Sequence, residues 1–240
     1  MNRAPQIVKR KVGAVDIIDL RGEFVGHWAL RGKEEIASFL KSRNTKSLLI
    51  NLRGLITLDS LGAKAITENL RPGVRSGLVA GNLTVMEMLS RVAPSLENVK
   101  WFRNEEEIIH YFGEDLVQWN RDTYEEKRKH VRLKTALPLE FSFQDEKGDS
   151  VFFRAVVTDL SEGGLFAEYL DLDEPSFSKL KLNPYDFQML DLKLKLPGSL
   201  ELFAKGKVVR VMDQGDQVGM GIEFYEISDE NRRRVANFIS

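Results

Sequence analysis

The segment EEKRKHVRLK, residues 125–134, puts Lys127, Arg128, Lys129, Arg132 and Lys134 into ten positions of a chain whose 35 Lys and Arg are balanced by 36 Asp and Glu. Such a run can be a solvated surface, a nucleic-acid patch or one half of an anion clamp, and the first is the commonest. Some thirty residues on, VTDLSEGGLFAE brings Asp159 and Ser161 up to a glycine pair, Gly163 and Gly164. On its own that is a turn, because glycine accepts positive φ and Asp and Ser bond nearby amides. In the first half, LITLDSLGAKAI places Asp59 and Ser60 at a helix start, where either side chain is a good N-cap. The three histidines, His27, His110 and His130, lack metal-ligand spacing. No G-x-S-x-G, P-loop or dinucleotide fingerprint occurs, and no carboxylate pair stands out by context. The expectation is a binding protein and not an enzyme, with no catalytic residue, metal or catalytic cofactor.

Two kinds of periodicity position these residues. Over roughly the first 110 positions strand-like and helix-like segments alternate. QIVKRKV and AVDIIDL read as a hairpin. WALRGKEEIASFLKSR places Leu30, Ile36, Phe39 and Leu40 on one helical stripe. SLLINL is a buried strand, a helix starts near Ser60, and GLVAGN, TVMEMLSRV, VKWF and NEEEIIHYF follow, the last with Asn104 as N-cap. This predicts an α/β layer domain with a mixed sheet and helices. Beyond it the period falls to two: LPLEFSF puts Leu137, Leu139, Phe141 and Phe143 on one face, and LDLKLKL does the same with Leu190, Leu192, Leu194 and Leu196. With VFFRAVVTDL, LELFAKGKVVRVM and QVGMGIEF as further strands and a closing helix capped by Ser228, the second half reads as an all-β six-stranded antiparallel barrel with a C-terminal helix. The boundaries expected are residues 1–115 and 125–240 joined by a linker at 116–124, with 171–187 as an insertion of the barrel.

Bulk composition is that of a globular protein, 42% hydrophobic and 30% charged over 240 residues. No apolar run approaches the roughly 20 residues of a membrane span, so no membrane insertion is expected. The first residues lack the apolar block of a secretory signal and there is no cysteine, which makes the cytoplasm the expected location. Split at residue 115, the halves carry 17 Lys and Arg against 14 Asp and Glu, then 18 against 22. A net +3 followed by −4 does not hold nucleic acid by its overall field, so anion binding is local.

The ordered pair of R-x-x-x-R at Arg128 and Arg132 with D-x-S-x-x-G at Asp159, Ser161 and Gly164, followed by GKVVRVMDQGDQVGMGIEFYEISDENRRRVANFI, resembles the PilZ family, whose members bind cyclic di-GMP. The resemblance implies a ligand site made of Arg128, Arg132, Asp159, Ser161 and Gly164. Lys127 stands where the family often carries another arginine; a lysine is a point charge without the planar fork, which leaves one or two ligand copies open. The chemistry suits the ligand. Guanine offers O6 and N7 acceptors in the spacing of an arginine fork, Asp159 can accept from guanine N1 and N2, and Ser161 can bond a phosphate or the loop backbone. In the last strand Met220, Ile222 and Phe224 are expected to face in with Val218, and Gly219 and Gly221 to face out.

Residues 1–115 resemble STAS domains, the fold of anti-sigma factor antagonists, through the order of elements, RGEFVGHWA at the first loop and LDSLG at the D-[ST]-[ST]-G position. That alignment makes Ser60 the phosphoacceptor, with Leu61 replacing the usual second hydroxyl, and implies docking to a signalling protein such as an anti-sigma factor or kinase-like partner. The reading that follows is a bacterial signalling adaptor. In it cyclic di-GMP binding to the barrel alters a protein–protein interaction of the first domain. Two other readings compete: a partner switch phosphorylated at Ser60 whose barrel no longer binds ligand, and a nucleic-acid module using the basic segment. A homo-oligomer is compatible with the sequence.

Overall fold

The computed structural model describes residues 5–70, 72–79, 81–92, 99–117, 131–144, 147–169, 189–214 and 217–240. The chain divides into two compact units, Met1–Ile108 and Ile109–Ser240.

The first unit is built on a five-stranded sheet in the order β1 (Gln6–Val12), β2 (Val15–Phe24), β3 (Ser47–Leu58), β4 (Arg75–Val79), β5 (Lys100–Phe102). β1 and β2 form the expected antiparallel hairpin, with Val12 opposite Val15, and every later pairing is parallel. Parallel neighbours need crossovers. These are α1 (Gly26–Arg43), α2 (Ser60–Thr67) and α3 (Leu83–Val92), and α4 (Glu105–Phe112) follows β5. Ile18, Leu20, Leu48, Ile50 and Leu52 bury one sheet face together with Ile36, Leu40, Ile66 and Leu89 of the helices. Asn104 caps α4 as expected, its side chain accepting from Glu107 N at 2.9 Å.

One detail of α1 departs from the expected stripe. Leu30 is 51% exposed, and the buried positions are Ala29, Gly32, Ile36 and Leu40. The cause is close approach: a Cβ on Gly32 would fall 2.4 Å from Phe24 Cε2, so the helix seats on its smallest residues and turns Leu30 outward.

The second face of the sheet holds a buried polar network. Arg10 donates to Asp19 through Nε at 2.6 Å and Nη2 at 3.0 Å, and Asn51 Nδ2 donates to Asp19 Oδ1 at 3.0 Å. All three side chains are buried. The chain of contacts continues outward: Arg53 N donates to Asn51 Oδ1, and the Arg53 guanidinium pairs with Glu105 at 2.9 Å.

The second unit is a closed barrel of six antiparallel strands, β6 (Arg132–Gln144), β7 (Ser150–Ser161), β8 (Gly164–Glu168), β9 (Met189–Leu196), β10 (Leu200–Gln214) and β11 (Gln217–Ile227), in the order β10-β11-β8-β7-β6-β9. Closure leaves no unpaired edge. Alternation does what the sequence predicts: Leu137, Leu139, Phe141 and Phe143 of β6 and Leu190, Leu192, Leu194 and Leu196 of β9 fill the interior with Met220, Ile222 and Phe224 of β11. The side chain of Val218 lies outside the described residues. Ser228 caps α5 (Asp229–Ile239) by accepting from Asn231 N at 3.2 Å, and the helix packs on the barrel core through Val235, Phe238 and Ile239. The expected linker lies largely, and the expected insertion at 171–187 wholly, outside the described residues.

Candidate ligand platform on the barrel wall

The D-x-S-x-x-G residues occupy one hairpin. β7 ends at Ser161 and β8 begins at Gly164, directly paired, with Glu162 and Gly163 as the turn. Ser161 Oγ donates to Gly164 O at 3.0 Å, so its proton serves the loop backbone. The turn is fastened to the next strand by Phe224 N, which donates to Gly163 O at 3.0 Å. Gly164 is glycine for want of room and not for a positive φ: a Cβ there would lie 2.2 Å from Ile222 O and 3.0 Å from Glu223 Cα. Backbone atoms cannot yield as a side chain tip can, so β8 and β11 meet only with glycine at this point.

Asp159 lies two residues before Ser161, on the outer wall opposite Lys134 of β6 and Phe166 of β8. Its side chain is only 9% exposed, and Oδ2 takes two cations, Lys134 Nζ at 3.1 Å and Arg132 Nη1 at 3.4 Å. Oδ1 is buried and, among the described residues, accepts no hydrogen bond. A buried carboxylate oxygen without a donor is costly, which gives an incoming N–H donor a favourable place to bind. The two cations hold the carboxylate in place, and Arg132, 46% exposed, keeps most of its donors available to solvent or a ligand.

Arg132, Asp159, Ser161 and Gly164 are thus brought together at the β6–β7–β8 end of the barrel wall. Arg128 and Lys127 lie outside the described residues, as does His130. Spacing alone does not single out Lys134, which the structure sets 3.1 Å from Asp159 Oδ2. Strand alternation does point to it, because the residue two beyond Arg132 shares its face.

The first unit has its own polar turn. Asp59 caps α2, Oδ1 accepting from Gly62 N at 2.7 Å, while Oδ2 accepts from Gly26 N at 2.8 Å and ties the start of α1 to the start of α2. Ser60 is exposed at the first position of α2. Asp59 therefore does the capping and the Ser60 hydroxyl faces solvent. Among the described residues no group of three or more His, Asp or Glu could hold a metal ion, and no helix is long and apolar enough to cross a membrane.

A closed six-stranded barrel stoppered by a helix, with an Asp–Ser–Gly hairpin and a cationic first strand on its outer wall, defines a class of small antiparallel barrels carrying a polar platform outside the core. The second half of this chain is one of them by family: residues 126–240 match the PilZ domain and form a PilZ domain. No curated protein matches the sequence. Among solved structures the chain is similar to the Bacillus subtilis inhibitor of motility MotI/DgrA, at 18% identity and a TM-score of 0.37 over 48% of this chain and 49% of that one. It thus spans about half the length of that protein. It is also similar to the PilZ domain with c-di-GMP of YcgR from Escherichia coli (13% identity, TM-score 0.36, 48% of this chain and 89% of that one). A further similarity, at 20% identity and a TM-score of 0.36, is to the anti-sigma factor antagonist SpoIIAA in its unphosphorylated form, over 45% of this chain and 95% of that one.

Proposed function

We propose that the barrel binds cyclic di-GMP and that the first domain carries the bound state to a protein partner, making the chain a non-catalytic signalling adaptor of the bacterial cytoplasm. The observation behind this reading is the buried Asp159 carboxylate, one oxygen of which has no donor among the described residues, beside Arg132 and Lys134 within a PilZ domain. Guanine N1–H suits Asp159 Oδ1, and Arg132 and Arg128 suit guanine O6 and N7 or the phosphates. Lys127 and Lys134 add charge opposite the two phosphates. Ser161 and Gly164 hold the hairpin that aims Asp159.

Magnitudes explain why the fixed hairpin matters. Two bidentate arginine contacts return about 2 to 6 kcal/mol and stacking of a base adds about 1 to 3 kcal/mol. Fixing even a few side chains around a ligand costs a comparable amount, so the surplus comes from a platform that is already built. Titration of the full chain with cyclic di-GMP by calorimetry tests the reading. Saturable binding in the micromolar range or tighter is expected, and silence up to about 100 μM, a binding free energy weaker than about −5.5 kcal/mol, would sink it.

Arg128 lies at the start of the second domain in sequence, four residues beyond the expected linker at 116–124, so a ligand that engages it acts next to the joining segment. This is our basis for coupling ligand to partner docking. The coupling is checked by small-angle scattering of the full chain with and without cyclic di-GMP; superimposable curves at saturation would discard it. Ser60 supports a second input, since its hydroxyl is exposed beside the Asp59 cap and a phosphate there would place about −1.5 to −2 charge on a docking surface.

A further inference from the structure

The first unit has a cavity of about 190 Å³ where α1 ends and β3 begins. Leu40 and Asn44 line it from the last turn of α1 and its cap, Thr45 and Leu48 from the way into β3, and Asn69 and Val74 from the segment between α2 and β4. α1 is about 27 Å long, and its other end is tied to Asp59 through Gly26. The cavity and the Ser60 turn therefore sit at opposite ends of that helix.

The polar groups around the cavity have their donors already engaged. Asn69 is 3% exposed, and its Nδ2 donates to Ala65 O at 2.8 Å and to Lys33 O at 3.3 Å, so Oδ1 is what its amide has left to offer. Thr45 donates its hydroxyl proton to Asp16 Oδ2 at 2.7 Å, which leaves lone pairs on Oγ1. The N–H groups of Asn44 and Thr45 close on Lys41 O and Leu40 O, and the final carbonyls of α1 carry the negative end of its dipole. Apart from the exposed side chains of Lys41 and Asn44, what remains is a set of acceptors. Leu40, Leu48 and Val74 add an apolar wall. The space exceeds the roughly 150 Å³ that holds a benzene ring in an engineered apolar cavity.

Asp16 stands behind these acceptors. It is 3% exposed and lies opposite Leu48 in the parallel pairing of β2 with β3, and its Oδ1 is buried without a donor among the described residues. Lys11, opposite Asp16 on β1, bonds neither oxygen. A carboxylate short of partners polarises the one hydroxyl it holds, which makes the Thr45 oxygen a stronger acceptor. A cation bonded to Thr45 Oγ1 would lie two hydrogen-bond lengths from the carboxylate, within about 5 to 6 Å, where charges are screened less than in water.

We propose that this cavity binds a small primary ammonium ion with a short hydrocarbon body. The ammonium donates to acceptors such as Thr45 Oγ1 and Asn69 Oδ1, and the carbon chain lies against Leu40, Leu48 and Val74. Asp16 is a positioning residue that acts through Thr45. Lys41, exposed at the rim, opposes a cation and so tunes the affinity.

n-Hexylammonium is the probe, with n-hexanol and hexanoate as its neutral and anionic counterparts. Each is titrated into the full chain without cyclic di-GMP, so the result is read independently of the barrel, and followed by proton–nitrogen correlation spectra. Saturable shifts of the Thr45, Leu48 and Asn69 amide signals are expected, with a Kd of about 0.1 to 10 mM for a ligand of about seven heavy atoms. Hexanol and hexanoate should bind at least about 5-fold more weakly. Asp16→Asn keeps an acceptor for the Thr45 hydroxyl and should shrink that preference to within about twofold. A merely structural Asp16 would lower the melting temperature and leave the preference intact, which would overturn the proposal. Lys41→Gln changes an exposed side chain and should tighten hexylammonium about 1.5- to 5-fold with the melting temperature unchanged. It keeps the proposal testable even if Asp16→Asn does not fold. Equal affinities for the three probes, or no saturable shift up to about 50 mM hexylammonium, would also overturn the site.

Discussion

Lys134 Nζ stands 3.1 Å from Asp159 Oδ2, nearer than the Arg132 guanidinium at 3.4 Å on the same oxygen, while Oδ1 is buried without a donor among the described residues. The carboxylate is held by a lysine that the arginine spacing does not announce. Both cations are partly exposed, so their pairing contributes little to stability, about 1 kcal/mol or less. Asp159→Ala should leave the melting temperature within a few degrees of wild type and weaken cyclic di-GMP at least about 10-fold. Lys134→Ala should weaken it by roughly 5- to 10-fold, about 1 kcal/mol. Thermal melts beside calorimetric titrations check both, and a Lys134→Ala variant with wild-type affinity would reduce Lys134 to a surface charge.

Gly164→Ala tests the hairpin as a piece of architecture. The new methyl would meet Ile222 O at 2.2 Å, where only strand backbone could give way. Overpacking of this kind costs about 1 to 3 kcal/mol. The expected result is a lower urea midpoint and weaker ligand binding together, since the displaced hairpin also carries Asp159. A variant with unchanged midpoint would mean that β8 and β11 have room to separate.

Legibility from sequence follows the distance over which a feature is encoded. The alternating leucines of β9 and phenylalanines of β6 write their own burial, so the barrel and its inner face could be read off directly. Caps such as Asn104 and Ser228 act within three residues and were equally plain. Leu30 is not legible in this way, because a helical stripe says which residues are apolar but not which neighbour comes close, and Phe24, from another element, decides that Gly32 faces it. Likewise Arg10, Asp19 and Asn51 come from three strands, and only the register turns three apparent surface residues into one buried network. The register irregularities between Lys134 and Leu137, Val157 and Asp159, and Val208 and Arg210 shift the pairing by one residue without a mark in the local pattern.

Asp59 and Ser60 are adjacent and should behave oppositely. Asp59 satisfies Gly62 N and Gly26 N, joining two helix starts, whereas the Ser60 side chain is exposed. Asp59→Ala should cost about 1 to 3 kcal/mol of first-domain stability, from one lost cap and one unsatisfied amide. Ser60→Ala should stay within about 0.5 kcal/mol. Denaturant titration followed by the tryptophan fluorescence of Trp28 and Trp101 would resolve the pair, and equal losses would mean that Ser60 shares the cap.

The Arg10–Asp19–Asn51 network makes a stronger prediction about the same domain. Removing one member of a buried ion pair leaves the other charged and without its partner, a loss of about 3 to 5 kcal/mol. Asp19→Ala takes the carboxylate away from the Arg10 guanidinium, which is 1% exposed. The same substitution at an exposed pair, Glu35→Ala opposite Lys9, should cost less than about 1 kcal/mol. Urea midpoints of the two variants should differ several-fold in their shift from wild type, and comparable shifts would mean that water reaches Arg10.

Tyr169 gives the barrel a pH dependence of known sign. It is buried, its ring 6.3 Å from that of Phe141 and 6.4 Å from that of Phe153, and burial pushes its hydroxyl well above the ordinary tyrosine range by disfavouring the phenolate. In the unfolded chain the same group ionises near its usual value of about 10. The folded state therefore keeps its full advantage below about pH 10 and loses it as pH rises further, because the unfolded state releases a proton that the folded state retains. Tyr169→Phe removes the ionisable group while keeping the ring. At pH 8 the variant should lie within about 1 kcal/mol of wild type, and between about pH 10 and 11 its stability should fall less steeply. Urea midpoints measured across that range decide the matter: parallel curves for the two proteins would show that the Tyr169 hydroxyl ionises equally well in the folded barrel.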